Sequence, residues 1–119
     1  MNENEFSIKV GWNDSPTSCS NMFNGIQEIK CVDLSKFDTS KITDMSFMFS
    51  ECSNLEGLDL RNLNISSVTS LDSMFKSCIN LKEIDLSNLD DNSVVSMSGM
   101  FSCCNTSNKI LIQNKYFIK

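Results

Sequence analysis

The pair Met-Phe occurs at Met22-Phe23, Met48-Phe49, Met74-Phe75 and Met100-Phe101, so one dipeptide returns every 26 residues through most of a 119-residue chain. The residues around it return as well: Met48 to Leu60 reads MFSECSNLEGLDL, and Met74 to Leu86 reads MFKSCINLKEIDL. A fixed period without insertions is the mark of a stacked repeat, in which no unit buries its apolar side alone and each leans on its neighbours. The core of such a chain is a strip shared between turns, and the 40% hydrophobic content is enough to fill it.

Stepping by 26 from Leu58-Asp59-Leu60 lands on Phe6-Ser7-Ile8, Val32-Asp33-Leu34, Ile84-Asp85-Leu86 and Ile110-Leu111-Ile112. Each reads apolar-x-apolar, the period of a half-buried strand, and copies one turn apart would stack as a parallel sheet. Between the strands, apolar residues fall at Ile42, Met45, Met48/Phe49 and Cys52, and again at Val68, Leu71, Met74/Phe75 and Cys78. That spacing predicts a short helix in each repeat. Thr69 followed three residues on by Asp72 resembles a capping box for one of them. The expected fold is therefore α/β: a solenoid of about five turns, with parallel strands on one face and short helices on the other. It forms a single domain, 1–119, with a capping strand in 1–15, repeats at 16–41, 42–67 and 68–93, and a degenerate capping repeat in 94–119. The decay of the last repeat, where Ser107 replaces a leucine and Lys115 an apolar anchor, is what a terminal cap looks like.

In a strand the residues between apolar ones face the other way. Ser7, Asp33, Asp59, Asp85 and Leu111 thus form one outward row, flanked by Glu5, Cys31, Gly57, Glu83 and Lys109 on one side and Lys9, Ser35, Arg61, Ser87 and Gln113 on the other. Stacked aspartates repel by about 1 kcal/mol per pair in water-like dielectric. Arg61 and the serine hydroxyls are the groups that would offset this. The row reads either as a solvated face with local salt bridges or as a partner-binding face, and Asp33, Ser35, Asp59, Arg61, Glu83, Asp85 and Ser87 are its candidate residues. Two asparagine rows, one at Asn54 and Asn80 and one at Asn62, Asn88 and Asn114, read as structural ladders that satisfy turn backbone groups.

Cys52, Cys78 and Cys104 occupy one repeat position, with Ile26 at the same place in the first turn. They read first as small buried hydrophobes. A disulfide between stacked turns and a thiol or metal site are the alternatives, the last disfavoured by the absence of His and of any Cys-x-x-Cys. Without His or a Gly-rich phosphate loop, no nucleophile-base constellation is found, so the chain is not expected to be an enzyme and no cofactor is expected. The net charge of −5 argues against a nucleic-acid partner, since phosphate binding needs a basic face. No stretch is long and apolar enough for a transmembrane helix. The acidic start Met1-Asn2-Glu3-Asn4-Glu5 is unlike a signal peptide, so export by that route is not expected and a cytoplasmic location stays open.

The segment from Phe37 to Leu55, FDTSKITDMSFMFSECSNL, resembles the 26-residue repeat of bacterial surface lipoproteins of mycoplasmas and Listeria, grouped with BspA-like leucine-rich repeats. The resemblance extends from about Thr17 to Ile112. It implies a leucine-rich-repeat-like solenoid at a cell surface or outside the cell, acting in adhesion or protein interaction, with a host or neighbouring surface protein as partner and no catalytic residues. The alternative function is a structural spacer, or a repeat fragment that self-associates through its apolar ends.

Overall fold

The computed structural model describes residues 7–9, 16–34, 36–60, 63–85, 96–104, 109–112 and 115–116. Short strands form where the repeated apolar residues alternate with polar ones: β1 (Ser7–Lys9), β2 (Cys31–Asp33), β3 (Gly57–Asp59), β4 (Glu83–Asp85) and β5 (Lys109–Ile112), followed by β6 (Lys115–Tyr116). They form one sheet in chain order, parallel from β1 through β5. β6 instead folds back antiparallel on β5, setting Tyr116 opposite Leu111. From β2 onward the register is the sequence period, with Cys31 opposite Gly57, Gly57 opposite Glu83 and Glu83 opposite Lys109.

β1 departs from that register. Ile8 pairs with Val32 and Lys9 with Asp33, where the period implied Ser7 opposite Asp33. The offset is 24 residues instead of 26, and a shift of two is the smallest that keeps the inward and outward phases of a strand intact. A basic residue, not a serine, therefore stands beside the first aspartate.

No helix forms among the described residues, which overturns the expected α/β, leucine-rich-repeat-like solenoid with helices behind the sheet. The segments predicted as helices are chains of tight turns. In the third, Met74, Lys76 and Cys78 donate their N–H groups back three residues to Leu71, Ser73 and Phe75, at 3.2, 3.1 and 3.1 Å. The alternate residues Leu71, Ser73, Phe75 and Ser77 donate instead to Ser96, Ser98, Met100 and Ser102 of the following turn, at 2.9, 2.9, 2.9 and 2.7 Å. The same scheme links Cys19, Asn21, Phe23 and Gly25 to Asp44, Ser46, Met48 and Ser50, and the second such segment to the third.

Backbone conformation explains why. Each segment contains two residues with positive φ, one in the column Asn21, Phe47, Ser73 and Gly99 (62°, 58°, 52° and 64°) and one in the column Gly25, Glu51, Ser77 and Cys103 (81°, 61°, 61° and 64°). A left-handed residue ends an α-helix and cannot continue one. The N–H groups that a helix would direct four residues back are turned sideways to the next repeat. Thr69, expected to cap a helix, donates its hydroxyl to the Thr43 carbonyl of the preceding turn at 3.1 Å.

The apolar spacing does mark the inward residues: Met45, Met48, Phe49, Cys52, Leu71, Met74, Phe75 and Cys78 are all buried between the turn wall and the sheet. Phe23, Phe49, Phe75 and Phe101 stack face to face through this interior, with ring centroids 5.3, 5.8 and 5.6 Å apart and planes within 15° of parallel. Such near-parallel aromatic pairs add about 0.5–1.5 kcal/mol each beyond the area they bury. Both end rings, Phe23 and Phe101, are themselves buried, so each end of the aromatic column is covered.

Candidate interaction face

The strand side of the structure is a two-faced surface built by simple alternation. Val32, Leu34, Leu58 and Leu60 point inward and are sealed, while Asp33 is half-buried and Asp59 exposed. Asp33, Asp59 and Asp85 are the last residues of three adjacent parallel strands, with Asp59 directly opposite Asp85. Glu83 opens β4 in the row of Cys31 and Gly57, opposite Gly57. The fold thus brings four of the candidate residues, Asp33, Asp59, Glu83 and Asp85, to one sheet, whereas Ser35, Arg61 and Ser87 lie outside the described residues.

A charged row just before the strands was not anticipated. Glu56 forms ion pairs with Lys30 at 3.7 Å and with Lys82 at 3.4 Å, a Lys-Glu-Lys column across three turns at the entry to the strands. Its signal was in the repeat, since 30, 56 and 82 are one register position. All three side chains are well exposed, so the pairs contribute at most about 1 kcal/mol each. Their effect is to set alternating charges, Lys-Glu-Lys, along the entry to the strands, three residues before Asp33, Asp59 and Asp85.

Asn54 and Asn80 hold the corner just before the strands. Each donates its amide to a carbonyl of the preceding turn, Gln27 at 2.6 Å and Ser53 at 2.8 Å. The second asparagine row, Asn62, Asn88 and Asn114, lies outside the described residues.

The cysteine ladder is a set of free thiols. Cys52, Cys78 and Cys104 donate to the carbonyls of Phe23, Phe49 and Phe75 in the preceding turn, at 3.1, 3.0 and 3.0 Å. Burial pushes the Cys52 thiol up to about 11. It pushes Cys78 further in the same direction, with the neighbouring ladder thiols adding to the effect, and raises Cys104 as well. Cys19 is raised to about 12 by burial and by the Asp44 carboxylate. Because the thiolate is the nucleophile and the metal ligand, these positions suit packing and not chemistry. Among the described residues, no three His, Cys, Asp or Glu side chains converge on a point that could hold a metal ion, and no helix is long and apolar enough to cross a membrane.

The molecule is thus a repeat protein of stacked 26-residue turns, with a polar sheet wall on one side and a wall of tight turns on the other. It belongs to the family described as Mycoplasma protein of unknown function, DUF285, whose family model matches residues 17–116. That assignment agrees, at the level of a mycoplasma repeat family, with the resemblance of the Phe37 to Leu55 segment. No curated protein and no solved structure matched the chain.

Proposed function

We propose that the chain is a non-catalytic protein-interaction module of the adhesion type, displayed at a cell surface, that engages a protein partner through the outward face of its sheet. The observation that carries this reading is the placement of Asp33, Asp59 and Asp85 at the ends of three adjacent strands, with the Lys30-Glu56-Lys82 column at the opposite, entry end of the same strands. Repeat proteins recognise partners over such extended faces, and alternating charge rows set partner register and encounter rate more than raw affinity. The resemblance of the repeat to mycoplasma and Listeria surface lipoproteins supports the surface setting. The raised thiols weigh against a thiol or metal function. The reading as a spacer that stacks through apolar ends has less support, because both terminal rings of the phenylalanine column are buried and β6 already occupies the outer edge of β5.

The test is capture of solubilised host-cell surface proteins by the immobilised chain, compared with the Asp59→Ala/Arg61→Ala variant. The variant is expected to unfold in urea with a free energy within about 0.5 kcal/mol of the parent's and to lose most of the captured protein. Undiminished capture by the folded variant would exclude this face.

A further inference from the structure

The register of β1 is set by fewer constraints than that of its neighbours. Strands β2, β3 and β4 each lie between two segments of the turn wall, and those segments are pinned to one another by N–H to carbonyl bonds, such as Cys19 to Asp44 and Met45 to Ser70, both at 3.0 Å. A strand suspended between two fixed turns has no slack to slide. Among the described residues β1 has a wall segment on its C-terminal side alone, and it pairs only with β2. Its 24-residue offset also stands against a repeat that keeps 26 from β2 to β5. Sliding β1 by two residues restores the period: Ile8 moves from opposite Val32 to opposite Leu34, and Ser7 moves to opposite Asp33. Val32 and Leu34 are both buried, so Ile8 meets an apolar partner in either register. The sequence on each side offers the same, with Phe6 and Val10 in the phase of Ile8. A strand whose apolar phase survives the slip has a weakly specified register.

We propose that β1 is a two-register strand at the edge of the sheet, exchanging between the 24-residue offset seen here and the 26-residue offset of the repeat. Charge and chain period favour different registers. The first sets Lys9 opposite Asp33, and opposite charges at facing positions stabilise a pair of strands. The second gives up that pairing, carries Lys9 two residues past Asp33 and sets Ser7 in its place, in step with the other strands. The exchange thus decides whether a lysine or a serine stands opposite the first aspartate of the row Asp33, Asp59 and Asp85. It changes the charge pattern at one end of the sheet, and the bearing of that change on partner binding, though not the exchange itself, rests on the function proposed above. Cys31, an exposed thiol, reports the register. Ser7 stands opposite it at the 24-residue offset, and Glu5, which lies outside the described residues, is the position the 26-residue offset assigns there.

Disulfide trapping in the full chain tests the proposal, with Ser7→Cys and Glu5→Cys in turn as partners for Cys31 and the links identified by peptide mass. Cys103→Ser removes the other exposed thiol throughout. Paired strands lie about 4.8 Å apart, and a residue two positions out of register is about 8 Å away. A disulfide spans at most about 7 Å between Cα atoms, so each variant links only in its own register. The expected result is that both link to Cys31, Ser7→Cys in the larger yield. Adding Lys9→Glu, which sets like charges opposite each other, is expected to shift the yield severalfold toward Glu5→Cys. Circular dichroism of the reduced variants shows the sheet intact. Linking by fewer than both variants means a single register and overturns the proposal. So does a Glu3→Cys link as strong as that of Glu5→Cys, the mark of a frayed end, and so does a Glu5→Cys yield that Lys9→Glu leaves unchanged.

Discussion

The Cys78 thiol donates to the main-chain carbonyl of Phe49, 29 residues earlier in the chain, across 3.0 Å. Cys52 and Cys104 make the same contact one turn to either side, so the ladder is a column of weak side-chain donors stitching each turn to the one before. Cys78→Ala removes the donor and opens a small void among fully buried neighbours, and is expected to cost about 1–2 kcal/mol. Cys78→Ser keeps a donor at the same place and is expected to cost less. Urea midpoints of the two variants decide the matter; an alanine variant as stable as the parent would show that the thiol contacts contribute nothing.

The same burial orders thiol reactivity. Cys31 and Cys103 are exposed, while Cys19, Cys52 and Cys78 are buried with raised pKa values. A native-state titration with a thiol reagent, read by peptide mass, is expected to label Cys31 and Cys103 first and the buried three only as the chain unfolds. Early labelling of Cys78 would contradict the packing described above.

Alkaline pH follows from linkage. A thiol whose folded pKa lies above its unfolded value of about 9 stays protonated in the folded state after the unfolded chain has released its proton, so the unfolded state is favoured as pH rises. The stability these thiols supply is whole below pH 9, and the Cys52 share is gone once pH passes about 11. Thermal midpoints are expected to fall over that interval in the parent and to fall less in Cys52→Ala. Parallel pH profiles for the two proteins would assign the decline to other groups.

Much of the arrangement is legible in the sequence because the period fixes which residues share a column. Val32, Leu58 and Ile84 fall in one inward row, and Asp33, Asp59 and Asp85 at one strand end, by subtraction alone. The helices failed for a definable reason. The spacing of Met45, Met48, Phe49 and Cys52 reports which side chains point inward, and a chain of tight turns meets that requirement as well as a helix does. The distinguishing signal lay in Asn21, Gly25 and Gly99, residues suited to left-handed backbone, at two register positions otherwise filled by Phe47, Glu51, Ser73, Ser77 and Cys103. Those five diluted it. The two-residue offset of β1 and the antiparallel β6 were beyond reach, since neither follows the period.

The stacked phenylalanines make a prediction about the core. Phe75 has a ring on either face, Phe49 and Phe101, at 5.8 and 5.6 Å. Phe75→Ala removes a fully buried ring and two stacking contacts, and is expected to cost about 3–5 kcal/mol. Phe75→Leu keeps much of the volume and loses the stacking, so its cost is expected to be well below that of alanine. Equal losses from Leu and Ala in chemical denaturation would mean that filled volume adds nothing at this position.

The two left-handed columns predict substitutions of opposite sign. Glu51 is exposed at φ 61°, in the column where the first turn has Gly25, and its N–H donates to the Lys76 carbonyl whatever the side chain. Glu51→Asn replaces a residue strained by about 1–2 kcal/mol with one that tolerates the conformation, and a gain of about 0.5–1 kcal/mol is expected. Gly99→Ala works in the other direction: at φ 64° the new Cβ is strained, and it would also meet the Ser73 hydroxyl at 3.3 Å. Gly25→Ala is strained alike at φ 81° but meets nothing within 4 Å, so it is expected to cost less than Gly99→Ala. The order Glu51→Asn above parent, then Gly25→Ala, then Gly99→Ala, read from urea midpoints, tests the turn wall residue by residue. Were the segments helical, the two glycine variants would stabilise the chain, since alanine exceeds glycine by about 1 kcal/mol in a helix interior.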